Sequence, residues 1–399
     1  MSSAETSLEA QLMGHDYWSA RWEKKRALVE LGMADLALWL RDQLGLGLEQ
    51  LRRGGAGPIT ELASRMLNVE CKGIAERLER LATLIEPSGS AQSGLDERLD
   101  AQLLALGELA LLSKSFERLA RLSFEQRVSL LSQIGLSEEP KSARAKPELE
   151  GRWVALSQLI ERERGLLCRR QWLARLPSLS ELEGLSSEEL NEPTGARQRA
   201  SLTQTIDYAW GSAPLPPQAP LGGVVQQPLR RFEGLAPRRV LLYPLSDQAV
   251  AGSAERPYLV TSETPSLSEW RGLPWSPSLK HSRAVALEAR SEAPWSPNSP
   301  ALITRGRVVI MPQGQLAYLD AEGELEPLSL PAWSQRESLA RRSLLCLGGA
   351  GPVSLVGEWS AEGLSVLSLI SERGGLHSVS GGRVTRTSEL RAELGGAQR

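Results

Sequence analysis

Three histidines, His15, His281 and His377, are the only imidazoles in the chain, and imidazole is the commonest general base and zinc ligand. They stand in separate segments with no cysteine or second histidine at ligand spacing, so neither a Cys2His2 pattern nor HExxH is present. Cys71, Cys168 and Cys346 are each more than 90 residues from the next, which is no disulfide framework. A Cys/His dyad assembled by folding stays open. Phosphate chemistry fares no better: GxxxxGK[ST] is absent, no GxGxxG joins a strand to a helix, and the two GGAGP runs, Gly54 to Pro58 and Gly348 to Pro352, read as tight turns. Acidic pairs such as Glu138-Glu139, Glu161 with Glu163, and Glu322 with Glu324 lack the apolar surround that would split their pKa values, and read as solvated charges. The expectation is a protein with no catalytic residue, no cofactor and no metal.

Charge points the same way. Lys plus Arg number 46 against 48 Asp plus Glu, a formal net charge of -2, so a polyanion could be held only by a local patch. The basic clusters Lys24-Lys25-Arg26, Arg52-Arg53, Arg169-Arg170, Arg230-Arg231 and Arg238-Arg239 are scattered, and Glu49 before Arg52 and Arg53 is the mark of an ion-paired helix face. Convergence of these arginine pairs on one face would make a nucleic-acid-associated module, the alternative reading. Eleven Trp against three Phe and five Tyr is unusual. Tryptophan anchors cores and interfaces alike; core packing is the default for most of Trp39, Trp270, Trp275, Trp295, Trp333 and Trp359. Trp270, Trp275, Glu358 and Trp359 are the candidate partner-binding residues.

The elements that must position these residues divide at proline. Five of the 24 prolines lie in residues 1 to 177 and nineteen in 178 to 399, and proline is excluded from helix interiors but accepted in turns and edge strands. The expected fold class is α+β: an all-α helical domain over 1–178, a proline-rich linker region over 179–222, and a mainly β domain over 223–399 with at least one inserted helix, near Ser278 to Arg290. In the first part Trp18, Trp22, Val29, Met33, Leu36, Leu40 and Leu44 form one helical stripe, widened by Leu28, Leu31 and Leu38, and Trp39 is expected in the core. Further helices are predicted from Pro58 to Asn68, Cys71 to Ile85, Leu95 to Leu122 with a break, Phe124 to Ile134 and Pro147 to Leu176. Strands are predicted at Val240 to Tyr243, Pro257 to Thr261, Ala301 to Met311, Gln315 to Leu319, Ser343 to Leu347, Val353 to Trp359 and Ser365 to Ile370. In VSLVGEW, Trp359 shares a face with Val353 and Leu355 unless a bulge at Gly357 turns it to the other side. The N-terminus has no basic segment followed by an apolar run, and no stretch approaches 18 apolar residues, so a reduced cytoplasmic setting is expected.

Several segments, in order, resemble a known family. ADLALWLRD (Ala34 to Asp42) and ELASRMLNVECKGIAERLERLA (Glu61 to Ala82) are similar to the region after the finger in bacterial SWIM zinc-finger proteins, and GRWVALSQLIERERGLLCRRQWL (Gly151 to Leu173) to that family's next helical block. VLLYPLSDQAV resembles its tyrosine-proline strand, ALITRGRVVIMPQGQLAYLDAEGELEPL its hairpin region, and SLLCLGGAGPVSLVGEWSAEGLSVLSL its glycine-glutamate-tryptophan strand pair. The finger's CxC and CxH pairs are not in this sequence, so its zinc function carries over to no residue. The chain then reads as a finger-less relative, or one whose finger is encoded separately or lost. The resemblance implies a non-enzymatic scaffold or adaptor, an accessory factor of a MoxR-type AAA+ ATPase and von Willebrand factor A domain system, with protein partners and no membrane.

Overall fold

The computed structural model describes residues 16–86, 95–144, 146, 148–163, 166–184, 195–210, 215, 219–226, 229–242, 260–261, 264–296, 298–312, 314–330, 344–349, 351–361, 363–372 and 375–379. They form two compact units. The first is Met1–Ala145 with Glu233–Leu235 and Arg290–Pro297; the second is Lys146–Phe232, Ala236–Ala289 and Asn298–Arg399.

The first unit is a helical bundle: α1 (Asp16–Leu46), α2 (Leu48–Gly54), α3 (Gly57–Asn68), α4 (Lys72–Ile85), α5 (Leu95–Glu117), α6 (Phe124–Ile134) and the short α7 (Pro140–Arg144). Local chemistry sets the boundaries. Pro58 occupies the first turn of α3, where its missing N–H costs nothing. A reciprocal capping box between Ser123 and Gln126 starts α6. After α5, the last carbonyls of a short 3-10 turn, Leu119 and Ala120, accept from the buried Arg127 guanidinium at 3.0 and 3.1 Å. The core gathers Trp18, Trp22, Val29, Met33, Leu36 and Leu40 of α1 against Ile59, Leu62 and Met66 of α3, Leu78 and Leu81 of α4, Leu109 of α5 and Leu131 of α6. The stripe of α1 is narrower than expected. Leu28, Leu31, Leu38 and Leu44 are 43%, 62%, 54% and 80% exposed, and Trp39 is only half-buried, because neighbours cover one side of α1.

The second unit corrects the largest sequence expectation. Pro147 to Leu176 is not a helix but the hairpin β2 (Arg152–Glu163) and β3 (Leu166–Leu176), preceded by β1 (Glu148–Leu149). Val154, Leu156 and Trp172 belong to one apolar cluster, while Trp153, Ala155 and Leu173 belong to another. A strand buried on both faces carries a continuous apolar run instead of an alternating one, and such a run can pass for a helix. The helical unit accordingly ends at Ala145, not near 178. Within the segment expected as a linker, the described residues hold α8 (Leu179–Gly184), α9 (Gly195–Ser201) and the nine-residue β4 (Leu202–Trp210). With β5 (Val224–Val225), β6 (Leu229–Arg231), β7 (Arg238–Leu241) and β8 (Val260–Thr261) they build an eight-stranded sheet of order β1-β6-β7-β4-β3-β2-β5-β8.

A second sheet follows α10 (Leu267–Arg271) and α11 (Leu279–Glu292), the latter close to the expected inserted helix. It comprises β9 (Ser299–Ile310), β10 (Leu316–Leu319), β11 (Leu325–Ser329), β12 (Val353–Ser360), β13 (Gly363–Ser371) and β14 (Leu376–Ser378). Its pairings close on themselves: β9 to β10 to β11 is an antiparallel meander, β11 runs parallel to β13, β13 pairs β12, and β12 returns to β9. This five-stranded ring can close because β9 bends. Its first part pairs β12 and its last part β10, with a register shift in the β12 pairing opposite Ile303 to Gly306. At the bend Arg305 has φ of 51°, and a side chain on Gly306 would collide with the Tyr318 ring. Residues 344–348, overlapping the strand expected over Ser343 to Leu347, form a helical turn between β11 and β12.

Candidate functional site

The four residues expected to contact a partner all lie inside the second unit. Trp270, Trp275, Glu358 and Trp359 are 5%, 8%, 4% and 5% exposed. Trp275 donates its indole N–H to the Trp270 carbonyl at 2.6 Å, and both rings pack with Leu156, Leu302 and Leu367. Trp270 sits on α10, which opens with a capping box of Ser266 and Glu269. Burial alone would raise the pKa of Glu269, but the Ser266 N–H and hydroxyl and the Arg152 guanidinium hold it below the usual carboxylate range. Trp359 faces into the ring with Val353 and Leu355 and donates to Ser282 Oγ at 2.9 Å. The register shift at Val356/Gly357 exists, yet it leaves Trp359 in the interior. Glu358 points to the opposite side, where Oε1 accepts from Trp172 Nε1 at 2.7 Å and Oε2 from Asn298 Nδ2 at 2.8 Å, with Arg170 Nη1 3.7 Å away. These are packing residues and not surface anchors. Trp295 likewise belongs to the helical core, donating to Ser129 Oγ at 3.1 Å. Trp333 and residues 243–250 of the VLLYPLSDQAV segment lie outside the described residues.

Each arginine pair has at least one member engaged within the fold. Arg52 and Arg53 pair with Glu49 on α2, as the spacing predicts. Arg169 pairs with Asp207 at 2.5 Å, Arg230 donates to the Lys146 carbonyl, and Arg239 donates to the Ile206 carbonyl at 3.2 Å while covering the Phe232 ring. In the lysine cluster, Lys25 pairs with Glu70 and Arg26 with Glu30, both at 2.8 Å. A basic cation engaged in this way is not offered to a phosphate backbone.

Two surfaces remain. In the helical unit, Met33, Ala34, Ala37 and Leu38 of α1 and Ser113 and Phe116 of α5 line an open groove, bordered by Glu30, Arg41 and Glu117. Its floor is apolar because small alanines leave room between the two helices, and charges of both signs stand on its rim. This is the build of a helix-accepting groove. The sequence carried a signal for it that the stripe reading absorbed. Leu31 and Leu38, one heptad apart, lie on the opposite side of α1 from Val29 and Leu36, and one helix cannot bury both sides in a bundle of this size. In the second unit, the outer face of β9 to β11 exposes Arg305, Arg307 and Leu325, and neither arginine is ion-paired to a described residue.

Among the described residues no three His, Cys, Asp or Glu side chains group as a metal site, and no helix is long and apolar enough to cross a membrane. Burial pushes the Cys71 thiol up to about 12, with the Glu70 charge adding to the effect. Cys168 is buried too, whereas Cys346 is exposed. Thiolate is the reactive form, so a thiol reagent at pH 8 should label one cysteine in the native protein, Cys346, and all three only after denaturation. Rapid native labelling of Cys71, read by peptide mass spectrometry, would contradict this packing.

Residues 24–134 fit the model of the SWIM-associated four-helix bundle domain; no curated protein and no solved structure matches the chain. The matched span runs from within α1 to the last residue of α6, the same helices that share the first core. Over residues 24–134 the helical unit thus matches the SWIM-associated four-helix bundle domain, and the chain resembles SWIM-family proteins in the region that follows their finger.

Proposed function

We propose that the protein is a non-enzymatic adaptor that holds a protein partner on its helical domain. The observation that carries the reading is the α1/α5 groove, an apolar floor of Met33, Ala34, Ala37 and Phe116 beside the exposed Leu38. The SWIM resemblance supplies the expected setting, a MoxR-type AAA+ ATPase or a von Willebrand factor A domain protein acting in the cytoplasm. Ala34→Glu and Leu38→Glu would put charge on the groove without touching a buried side chain. Tagged native protein should co-purify an ATPase or von Willebrand factor A domain protein in a complex that survives moderate salt, since apolar contacts are not screened. Both variants should lose it while melting within about 0.5 kcal/mol of the parent, as surface changes do. Retention of the partner by both variants would sink the groove assignment.

A second reading is favoured by the five-stranded ring. A meander β9-β10-β11, a parallel β11–β13 pair and a β12 that closes on β9 is the strand connectivity of the Greek-key barrels that bind oligonucleotides and oligosaccharides, and Arg305 and Arg307 lie on its meander face. A fold does not dictate a function. Single-stranded DNA binding with a steep salt dependence, weakened by Arg305→Ala and Arg307→Ala, would replace the adaptor reading with this one.

A further inference from the structure

Helix α5 is apolar around much of its circumference. Ala105, Leu109 and Leu112 face the core, while Leu103, Leu104 and Leu111 are 55%, 39% and 38% exposed. An exposed leucine on a soluble helix is ordinary; three around one glycine form a patch. That glycine, Gly107, stands in the middle of a 23-residue helix. A side chain there would meet nothing within 4 Å, so neither close packing nor backbone conformation within the chain calls for glycine. Glycine in a helix interior is less stable than alanine, so the fold of the single chain leaves the residue unexplained.

The residues around Gly107 are self-complementary. Counting equal steps outward on the exposed side, Leu103 is matched by Leu111, Leu104 by Ala110, and Asp100 by Lys114. Two copies of α5 laid antiparallel about a two-fold axis at Gly107 would therefore bring glycine against glycine at the crossing and leucine against leucine on either side. At each end Asp100 of one copy would meet Lys114 of the other. An isologous contact requires this pattern, in which residue i meets j and j meets i. The absent side chain lets the two backbones approach closely, as small residues do at helix crossings. Asp100 and Lys114 are both exposed, and Lys114 pairs with the neighbouring Glu117 at 2.9 Å on the helix surface, so both can reach across.

We propose that the exposed face of α5 is a homodimer interface, its occupant a second copy of this chain arranged antiparallel about Gly107. The contact lies beside the α1/α5 groove and does not depend on the groove having a partner. The test uses the purified full chain alone, with the dissociation constant read by sedimentation equilibrium over a range of concentrations. The parent should dimerise. Asp100→Lys sets Lys against Lys at both ends, and Lys114→Asp sets Asp against Asp; each should weaken the dimer by about tenfold or more, as like charges across an interface do. The double variant Asp100→Lys with Lys114→Asp restores opposite charges and should return the dimer to within about threefold of the parent. Neither position is buried, so circular dichroism should show the parent's helix content in all three. A chain that stays monomeric at every concentration overturns the proposal. A dimer indifferent to the single swaps overturns it too, as does a double variant no tighter than the singles.

Discussion

Glu358→Ala is expected to destabilise the second unit by about 3 to 5 kcal/mol, the range for removing one partner of a buried charged pair. The carboxylate is 4% exposed and receives two hydrogen bonds, from Trp172 on β3 and Asn298 before β9, with Arg170 also in reach. Alanine would leave an indole N–H and an amide without their acceptor and the guanidinium without that counter-charge, in a place where water does not replace them. Glu358→Gln separates charge from hydrogen bonding. Its oxygen can still accept from Trp172, and Asn298 can turn its amide to offer oxygen to the new NH2 group, so a cost of about 1 to 2 kcal/mol is expected. Urea unfolding followed by near-ultraviolet circular dichroism, to which the buried Trp153, Trp172, Trp270, Trp275 and Trp359 of this unit contribute, gives both values. A Glu358→Ala midpoint equal to the parent's would return Glu358 to the surface, where the sequence reading placed it.

That misplacement shows where sequence reading stopped. Period-3.6 patterning with proline and glycine punctuation located α3, α4, α5 and α6 to within a few residues, Phe124–Ile134 without error, because each has a buried face and local boundary signals, whereas the separate α2 and the short α7 were missed. It also located β9, β10, β12 and β13, which alternate or end in turns such as Asp320 to Gly323. It failed at β2 and β3, where both faces are covered and periodicity vanishes; Gly165, a poor helix former in the middle of the run, was the available clue in the sequence. Glu358 was misread for a related reason. An acidic residue in a strand normally signals the solvent face, and it is the indole of Trp172, 186 residues away in the chain, together with Asn298 and Arg170, that offsets its burial. The α1/α5 groove was half legible. Leu31 and Leu38 were seen, but which apolar side of α1 faces the core depends on helices packed from elsewhere in the sequence.

The bundle itself depends on a backbone crossing that offers a sharper test than its leucines. A side chain on Gly73, in the first turn of α4, would lie 2.1 Å from the Gln133 carbonyl oxygen and 3.0 Å from its carbon, near the end of α6. The obstacle is backbone, which cannot rotate away. Arg77, one turn further along α4, fastens the same crossing: its guanidinium donates to the Gly73 carbonyl at 2.9 Å, to the Gln133 carbonyl at 3.1 Å and to Gln133 Oε1 at 2.5 Å. Gly73→Ala should gain up to about 1 kcal/mol from helix propensity. Separating α4 from α6 should cost more than that, by the measure of overpacked cores, and would pull the acceptors away from Arg77, so a net loss of about 3 kcal/mol is expected. Gly45→Ala is the control. It lies near the end of α1 with nothing within 4 Å of the added methyl, so only the propensity gain applies and the variant should melt at or above the parent. Thermal unfolding followed at 222 nm compares the two, and a Gly73→Ala protein as stable as Gly45→Ala would mean that α4 and α6 do not approach this closely.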